Sequence, residues 1–264
     1  MTRPSNEGGR ILLIDADVLA YSCASAAEVA TDWGDGYWTW SCDEFAVRDA
    51  IDTEIAYLKD KLSATDVKLC LTDSDTNFRK AVLPTYKGNR AKVKKPLVLK
   101  AIREWLISER QAYLRPNLEG DDVMGILATW PKLKGEKIIV SIDKDMKTIP
   151  GLYCRDLETG IVNVTEDEAD YWHLYQTLIG DQTDGYKGCP GVGPKAAEKI
   201  LAAMPDGPVD PEMTRVEWLW TQVVAAYEKA GLGEEEALTQ ARVARILRAS
   251  DYDFQKKEPI LWTP

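Results

Sequence analysis

Three short apolar runs, each closing on carboxylates, constrain this chain more than any other feature. Residues 10–15 (Arg-Ile-Leu-Leu-Ile-Asp) end in Asp15, Val67 to Leu71 is followed by Asp73 and Asp75, and Lys137 to Ile142 runs into Asp143 and Asp145. Runs of this kind predict buried strands. Amphipathic stretches separate them: residues 43–64 carry Val47, Ile51, Ile55, Leu58 and Leu62 on one stripe, and a second helix is expected at about 97–110. Strands joined through helices pair in parallel, which predicts an α/β fold with a central, mostly parallel sheet flanked by helices. The carboxyl ends of such strands share one edge, where ligand sites form. A single acid beyond a strand is commonly just a helix cap.

A second acidic feature lies between the strands. Glu119-Gly120-Asp121-Asp122 opens an apolar-periodic run (Val123, Ile126, Leu127, Trp130), so it is expected to form the first turn of a helix with a buried face. Glu119 and Asp122, three apart, share a face, with Asp121 beside them. Like charges this close stay ionised only with cations among them. Hard divalent ions such as Mg²⁺ or Mn²⁺ supply that charge and prefer oxygen ligands. The turn from Gly180 to Lys195, with five glycines and two prolines, adds Asp181 and Asp184 before a helix at 196–204. Together Asp15, Asp73, Glu119, Asp121, Asp122, Asp143, Asp145, Asp181 and Asp184 are too many to be caps. They could hold two ions about 3.5–4 Å apart, the geometry of two-metal phosphodiester cleavage. The single histidine, His173, sits in an apolar-periodic helix and reads as structural. Water activated by metal ions needs no histidine base.

A net charge of −10 argues at first against a polyanion partner, but the charge is unevenly placed. From Arg79 to Arg103 there are nine basic residues and no acid, leaving 24 basic against 43 acidic residues elsewhere, a balance of −19. A basic block on an acidic body suits a polyanion held locally. Pro84, Gly88 and Pro96 break this block, which is expected to be a flexible, partly helical excursion. Gly191-Val192-Gly193 before a helix supplies backbone N–H groups that can grip a phosphate, a helix–hairpin–helix type of clamp on a DNA backbone. The chain is long enough for a sizeable core. No apolar run approaches a membrane span of roughly 20 residues, and the first ten residues lack the apolar region of a signal peptide. Five cysteines without a C-x-x-C pair predict reduced thiols in a cytoplasm and no zinc cluster. Residues 31–42 are expected to be a loop or short hairpin without an assigned function. A short strand is expected at Tyr113-Leu114, a hairpin at 151–164, and helices at 166–180, 214–230 and 234–248.

The stretches ILLIDADVLAY, LTDSD, YKGNRAKVKKP, LEGDDVMGILA, VSIDKDMKTIP, GDQTDGY with GVGPKAAEKIL, and ARILRASDYDF run in order from residue 11 to 254. In this combination the chain resembles the 5′-nuclease (flap endonuclease, PIN-like) superfamily, nearest to the 5′-to-3′ exonucleases of the T-seven group of bacteriophages. The resemblance implies a PIN-like catalytic domain over residues 1–170, with a basic arch at about 76–100. A helical DNA-binding region containing a helix–three-turn–helix would follow at 171–264. It implies that Asp15, Asp73, Glu119, Asp121 and Asp122 serve a first metal ion, with Asp143, Asp145, Asp181 and Asp184 at or near a second. Asp17 and Asp75 would flank these ligands. Lys87 and Arg90 would engage the scissile phosphate, Tyr86 would stack on a terminal base, and Lys92, Lys94 and Lys95 would bind the DNA. Gly191, Gly193 and Lys195 would hold the duplex, with a K⁺ ion at the turn; Cys189-Pro190 departs from the pattern there. The implied activity is Mg²⁺- or Mn²⁺-dependent removal of nucleotides from 5′ ends of double-stranded DNA, with 5′-flap cleavage as the alternative. RNA–DNA hybrids, a single-strand binding protein and the cytoplasm of an infected bacterium complete that expectation. The rivals from other classes are a phosphatase using Asp15 as nucleophile and a non-catalytic DNA-binding protein.

Overall fold

The computed structural model describes residues 8–89, 94–202 and 212–264. Its centre is a six-stranded sheet in the order β5-β4-β1-β6-β7-β8. The strands are β1 (Arg10–Asp15), β4 (Asp66–Leu71), β5 (Tyr113–Leu114), β6 (Glu136–Val140), β7 (Gly151–Cys154) and β8 (Ile161–Val164). All neighbours pair in parallel except β7 and β8, which form the antiparallel hairpin expected at 151–164. From β1 the chain builds outward through β4 to β5, then returns to the other side of β1 for β6 and β7. That reversal places a topological switch point between β1 and β6, the place where an open α/β sheet leaves a crevice beyond its carboxyl edge.

β1 is buried on both faces, which explains its unbroken apolar sequence. Leu12 and Ile14 face one core with α1 (Ala16–Ala26), α2 (Glu44–Lys61) and α4 (Leu99–Arg110), through Ala20, Ile51, Ile102 and Leu106; the short α3 (Arg79–Val82) lies between β4 and α4 in the chain. Ile11 and Leu13 face the other, with Val123, Met124 and Leu127 of α5 (Gly120–Thr129). Truncating a core leucine such as Leu13 to alanine would cost about 2–5 kcal/mol. Asp43 caps α2 by accepting from the amides of Phe45 and Ala46.

A third core joins α6 (Glu166–Ile179), α7 (Pro194–Leu201), α8 (Arg215–Lys229) and α9 (Glu234–Ala244), through Leu178, Ala197, Trp220, Val223, Tyr227 and Ala241. The expected helix at 234–248 ends early, at Ala244. Arg245 turns extended there and sends Ile246, Leu247 and Tyr252 back into the core beneath α5. The approach is close: a Cβ on Gly125 would lie 2.4 Å from the Leu247 carbonyl oxygen. Residues 31–42 contribute a two-stranded hairpin, β2 (Val29–Asp32) and β3 (Trp38–Ser41), outside the main sheet. Among the described residues no helix is long and apolar enough to cross a membrane.

Candidate active site

Beyond the carboxyl edge of β1 and β6 lies a cavity of about 380 Å³. Its walls carry eight carboxylates: Asp15, Asp17, Glu119, Asp121, Asp143, Asp145, Asp181 and Asp184. Four elements bring them together. Asp15 ends β1 and caps α1, its Oδ1 accepting from the Val18 amide at 3.0 Å while Oδ2 accepts from Ser141 Oγ at 3.2 Å. Asp143 starts a 3₁₀ turn and accepts from the Asp145 amide at 2.9 Å. Glu119 and Asp121 come from the start of α5. Asp181 and Asp184 share a tight turn in which Asp181 Oδ1 accepts from the amides of Thr183 (2.7 Å) and Asp184 (3.2 Å).

This concentration of negative charge is only partly balanced. Burial pushes the Asp121 carboxyl well above its ordinary range, and the neighbouring Asp15, Glu119 and Asp143 push it the same way. Asp15 is raised by burial against its stabilising hydrogen bonds. Burial and Asp143 raise Asp145 to about 6, although the Gln176 amide donates to it. Glu119 moves the other way despite burial, because Arg79 and Lys87 hold its carboxylate ionised. The Lys87 ammonium stands 2.5 Å from Glu119 Oε1 and 3.6 Å from Asp184 Oδ2, so one cation of the basic block is planted inside the acidic cleft. The donors are all oxygens, crowded enough to repel one another, and suit hard divalent cations. Among the described residues no three acidic, histidine or cysteine side chains close on a single point as they stand.

Two of the expected ligands are placed elsewhere. Asp122 is fully buried and saturated: Arg79 donates to both its oxygens at 2.7 Å, and the amides of Glu119 and Leu247 donate at 3.0 and 3.1 Å. The same Arg79 reaches Glu119 at 3.4 Å and donates to the carbonyls of Val243 and Arg245. The cation between Glu119 and Asp122 is therefore a side chain of this chain. Asp73 is engaged by its own loop, accepting from the amides of Asp75 (3.0 Å) and Asn117 (2.9 Å) and from Thr76 Oγ1, and it does not line the cavity. Of the two flanking acids, Asp17 accepts from the Thr72 amide at 2.7 Å and pairs with Arg103, whereas Asp75 is exposed and off the cavity.

Tyr86 also differs from expectation. It is 2% exposed, with its hydroxyl 2.8 Å from Glu119 and 3.1 Å from Asp184, so its ring is not presented to a base. Arg90 and Lys92 lie outside the described residues. Lys94 pairs with Glu28 at 3.4 Å, and Lys95 is exposed. His173 is fully buried, with Nε2–H donating to the Ala241 carbonyl at 2.8 Å, in keeping with a structural histidine. Sequence reasoning missed Arg79 as a structural ion, Ser141 as the hydroxyl that donates to Asp15, and Tyr186 as part of the cavity lining; only the position of Arg79 in the basic block marked it at all.

The glycine turn has its own logic. Gly180 (φ +69°) and Gly188 (φ +66°) press backbone to backbone, and a Cβ on either would fall 2.4 Å from the other strand of the turn. Cys189 is buried in the third core, with its amide donating to the Leu178 carbonyl at 2.8 Å, whereas Pro190 is exposed. Gly191 (φ +76°) and Gly193 then lead, exposed, into Pro194 at the first position of α7, where Lys195 is exposed.

A family model described as "5′-3′ exonuclease, N-terminal resolvase-like domain" matches residues 10–169. The exodeoxyribonuclease of Enterobacteria phage T3 is 36% identical, over 96% of this chain and 93% of that protein. The exonuclease of Escherichia phage T7 is 37% identical with the same coverage. The flap endonuclease Xni of Vibrio atlanticus is 34% identical over 68% of this chain and 71% of its own length. Among solved structures, the bacteriophage T5 D15 flap endonuclease, as a pseudo-enzyme–product complex with DNA and metal ions, matches with a TM-score of 0.57 at 16% identity. That match covers 89% of this chain and 93% of the other, a likeness of fold.

Proposed function

The chain belongs to the 5′–3′ exonuclease family, a family of hydrolases, and from that premise we propose that it removes nucleotides from the 5′ ends of duplex DNA. Cleavage of the 5′-flap kind is the nearest alternative. The observation that carries the reading is the cavity at the β1/β6 switch point, with eight carboxylates on its walls and Lys87 reaching in among them. A water oxygen attacks the phosphorus in line, the P–O3′ bond breaks, and the remaining strand keeps a 5′-phosphate. Divalent ions, Mg²⁺ or Mn²⁺ and two per site, supply positive charge and acidify water when bound.

Asp15, Glu119, Asp121 and Asp143 are the groups proposed to hold the first ion, and Asp145, Asp181 and Asp184 the second. Asp122 and Asp73 keep those groups in place instead, through α5 and the loop after β4. Lys87, the cation that reaches Glu119 in the cleft, would meet the phosphate and stabilise the charge that grows there. Residues 1–170 thus act as the catalytic part and 171–264 hold the duplex, with Gly191, Gly193 and Lys195 against its backbone and K⁺ at the turn. RNA–DNA hybrids are further substrates under this reading, a single-strand binding protein is a partner, and the host cytoplasm is the site of action.

The test uses a 5′-end-labelled blunt duplex and a 5′-flap duplex, each with Mg²⁺ and with EDTA. Mononucleotides released from the blunt duplex only with Mg²⁺ are expected. Cleavage confined to the flap junction would replace the exonuclease reading, and no cleavage of either would overturn it.

A further inference from the structure

The β2–β3 hairpin presents aromatic side chains that no fold requirement explains. Trp38 and Trp40 project from the same face of β3, with centroids 6.4 Å apart and planes 30° from parallel, yet they are 48% and 47% exposed. Trp33, at the turn, is 69% exposed and spends its indole N–H on Thr39 Oγ1. Stabilising a two-stranded ribbon with tryptophans means covering them, and here they are left open to solvent.

What lies beside them identifies the occupant. The Lys94 ammonium sits 4.5 Å from the centre of the Trp40 ring, and Glu28 at the hairpin base accepts from the Leu97 amide at 2.7 Å. The far end of the basic segment is thereby pinned to the hairpin, while its near end, Lys87, stands in the carboxylate cleft. α1 makes the same connection on the other side: it starts at Asp15 in the cleft, and its Ala24 carbonyl accepts from Cys42 Sγ at the end of the hairpin. At 11 residues α1 is about 16 Å long. Lys87 in the cleft and Lys94 at the hairpin are thus cations of one basic block, and α1 runs from the cleft to the hairpin.

We propose that this hairpin is a single-strand platform, on which a 5′ single-stranded tail extending from the cleft stacks its bases on Trp38 and Trp40 while Lys94 and Lys95 meet its phosphates. Indole faces stack on any base, and neighbouring cations follow the backbone, which is how sequence-tolerant single-strand sites are built. The hairpin's acids direct the strand. Glu28 is occupied by Lys94 and the Leu97 amide, and Asp32, opposite Trp38 in register, accepts from the Gly34 amide. Asp32 and Asp35 near the turn repel phosphate, so the tail is held at the Trp40–Lys94 end. This inference rests on the reading of the chain as a nuclease of duplex DNA 5′ ends and adds the single strand as a ligand.

The experiment measures binding without catalysis, with the full chain in EDTA, by fluorescence anisotropy. The probes are a blunt duplex and the same duplex carrying a 5′ oligothymidine tail. The Trp38→Ala/Trp40→Ala variant is expected to bind the tailed duplex roughly 5- to 150-fold more weakly, the scale of one lost base stack, with blunt-duplex affinity within twofold of wild type. Lys94→Met should flatten the dependence of tailed-duplex affinity on salt. In the unaltered chain, 5-iodouracil in the tail should cross-link to Trp38 or Trp40. Equal affinity of wild type and variant for the tailed duplex, or equal losses on both probes, overturns the platform and leaves the hairpin to a protein partner. A wild-type chain that binds neither probe overturns the duplex-DNA reading itself, which separates the two failures.

Discussion

Asp121 and Asp122 are neighbours in sequence and opposites in environment. Asp122 points into the protein, where Arg79 and two amides satisfy both oxygens. Asp121 faces the cleft, where its neighbours are the like charges of Asp15, Glu119 and Asp143 and its carboxyl is pushed well upward. One side of the first turn of α5 is electrically complete. The other is left in deficit of positive charge, as expected of a site that works only when something cationic arrives. The complete side joins the helical turn that carries Arg79, α5 and the returning C-terminal segment, so it fixes the frame in which the incomplete side operates.

Substitutions break this contrast in opposite directions. Asp121→Asn or Asp143→Asn should abolish Mg²⁺-dependent cleavage of a labelled duplex while leaving DNA binding largely intact. The Asp121 variant should also melt at the same or a higher temperature than wild type in EDTA, because it relieves repulsion. Lower thermal stability without metal would mean that Asp121 supports the frame. Arg79→Met should do the reverse: it leaves Asp122 buried and unpaired and should cost about 3–5 kcal/mol in a urea titration. A loss under 1 kcal/mol would remove Arg79 from its structural role. Lys87→Ala sits between the two regions. Turnover should fall by a factor on the order of 10²–10³, the scale of one lost transition-state contact, and an effect on affinity alone would reduce Lys87 to a phosphate anchor.

The smallest effect concerns His173, which touches neither region. Burial, with Arg245 and Arg248 close by, holds its ring neutral, with its pKa well below the usual 6.5. The unfolded chain takes up a proton below that pH and the folded one does not, so stability falls as pH drops through 6.5 and below, by up to about 1.4 kcal/mol per pH unit. Urea titrations at pH 7 and 5.5 should show this loss in wild type and less of it in His173→Gln. Equal losses would assign the acid sensitivity to other groups.

Much of the frame was legible in the chain. β1, β4 and β6 announced themselves as unbroken apolar runs, and their terminal acids located the sheet edge. Local patterns also marked α5, the 151–164 hairpin and the glycine turn. The division of labour within Glu119-Gly120-Asp121-Asp122 was not legible. Spacing correctly put Glu119 and Asp122 on one face, but the cation between them, Arg79, lies 43 residues from Asp122 in sequence. Tyr86 was misread for the same reason: nothing local shows that its hydroxyl turns inward to Glu119 and Asp184. Asp73 reads like any strand-end acid, and only the fold reveals that Thr76 and Asn117 have claimed it.

Titrating the metal-free chain with Mn²⁺ and following the heat of binding tests the central claim most directly. Two ions per chain are predicted, with Asp143→Asn losing at least one and Asp73→Asn keeping both. A wild-type chain that binds no ion, or a stoichiometry indifferent to both Asp121→Asn and Asp143→Asn, would contradict the assignment of the cleft.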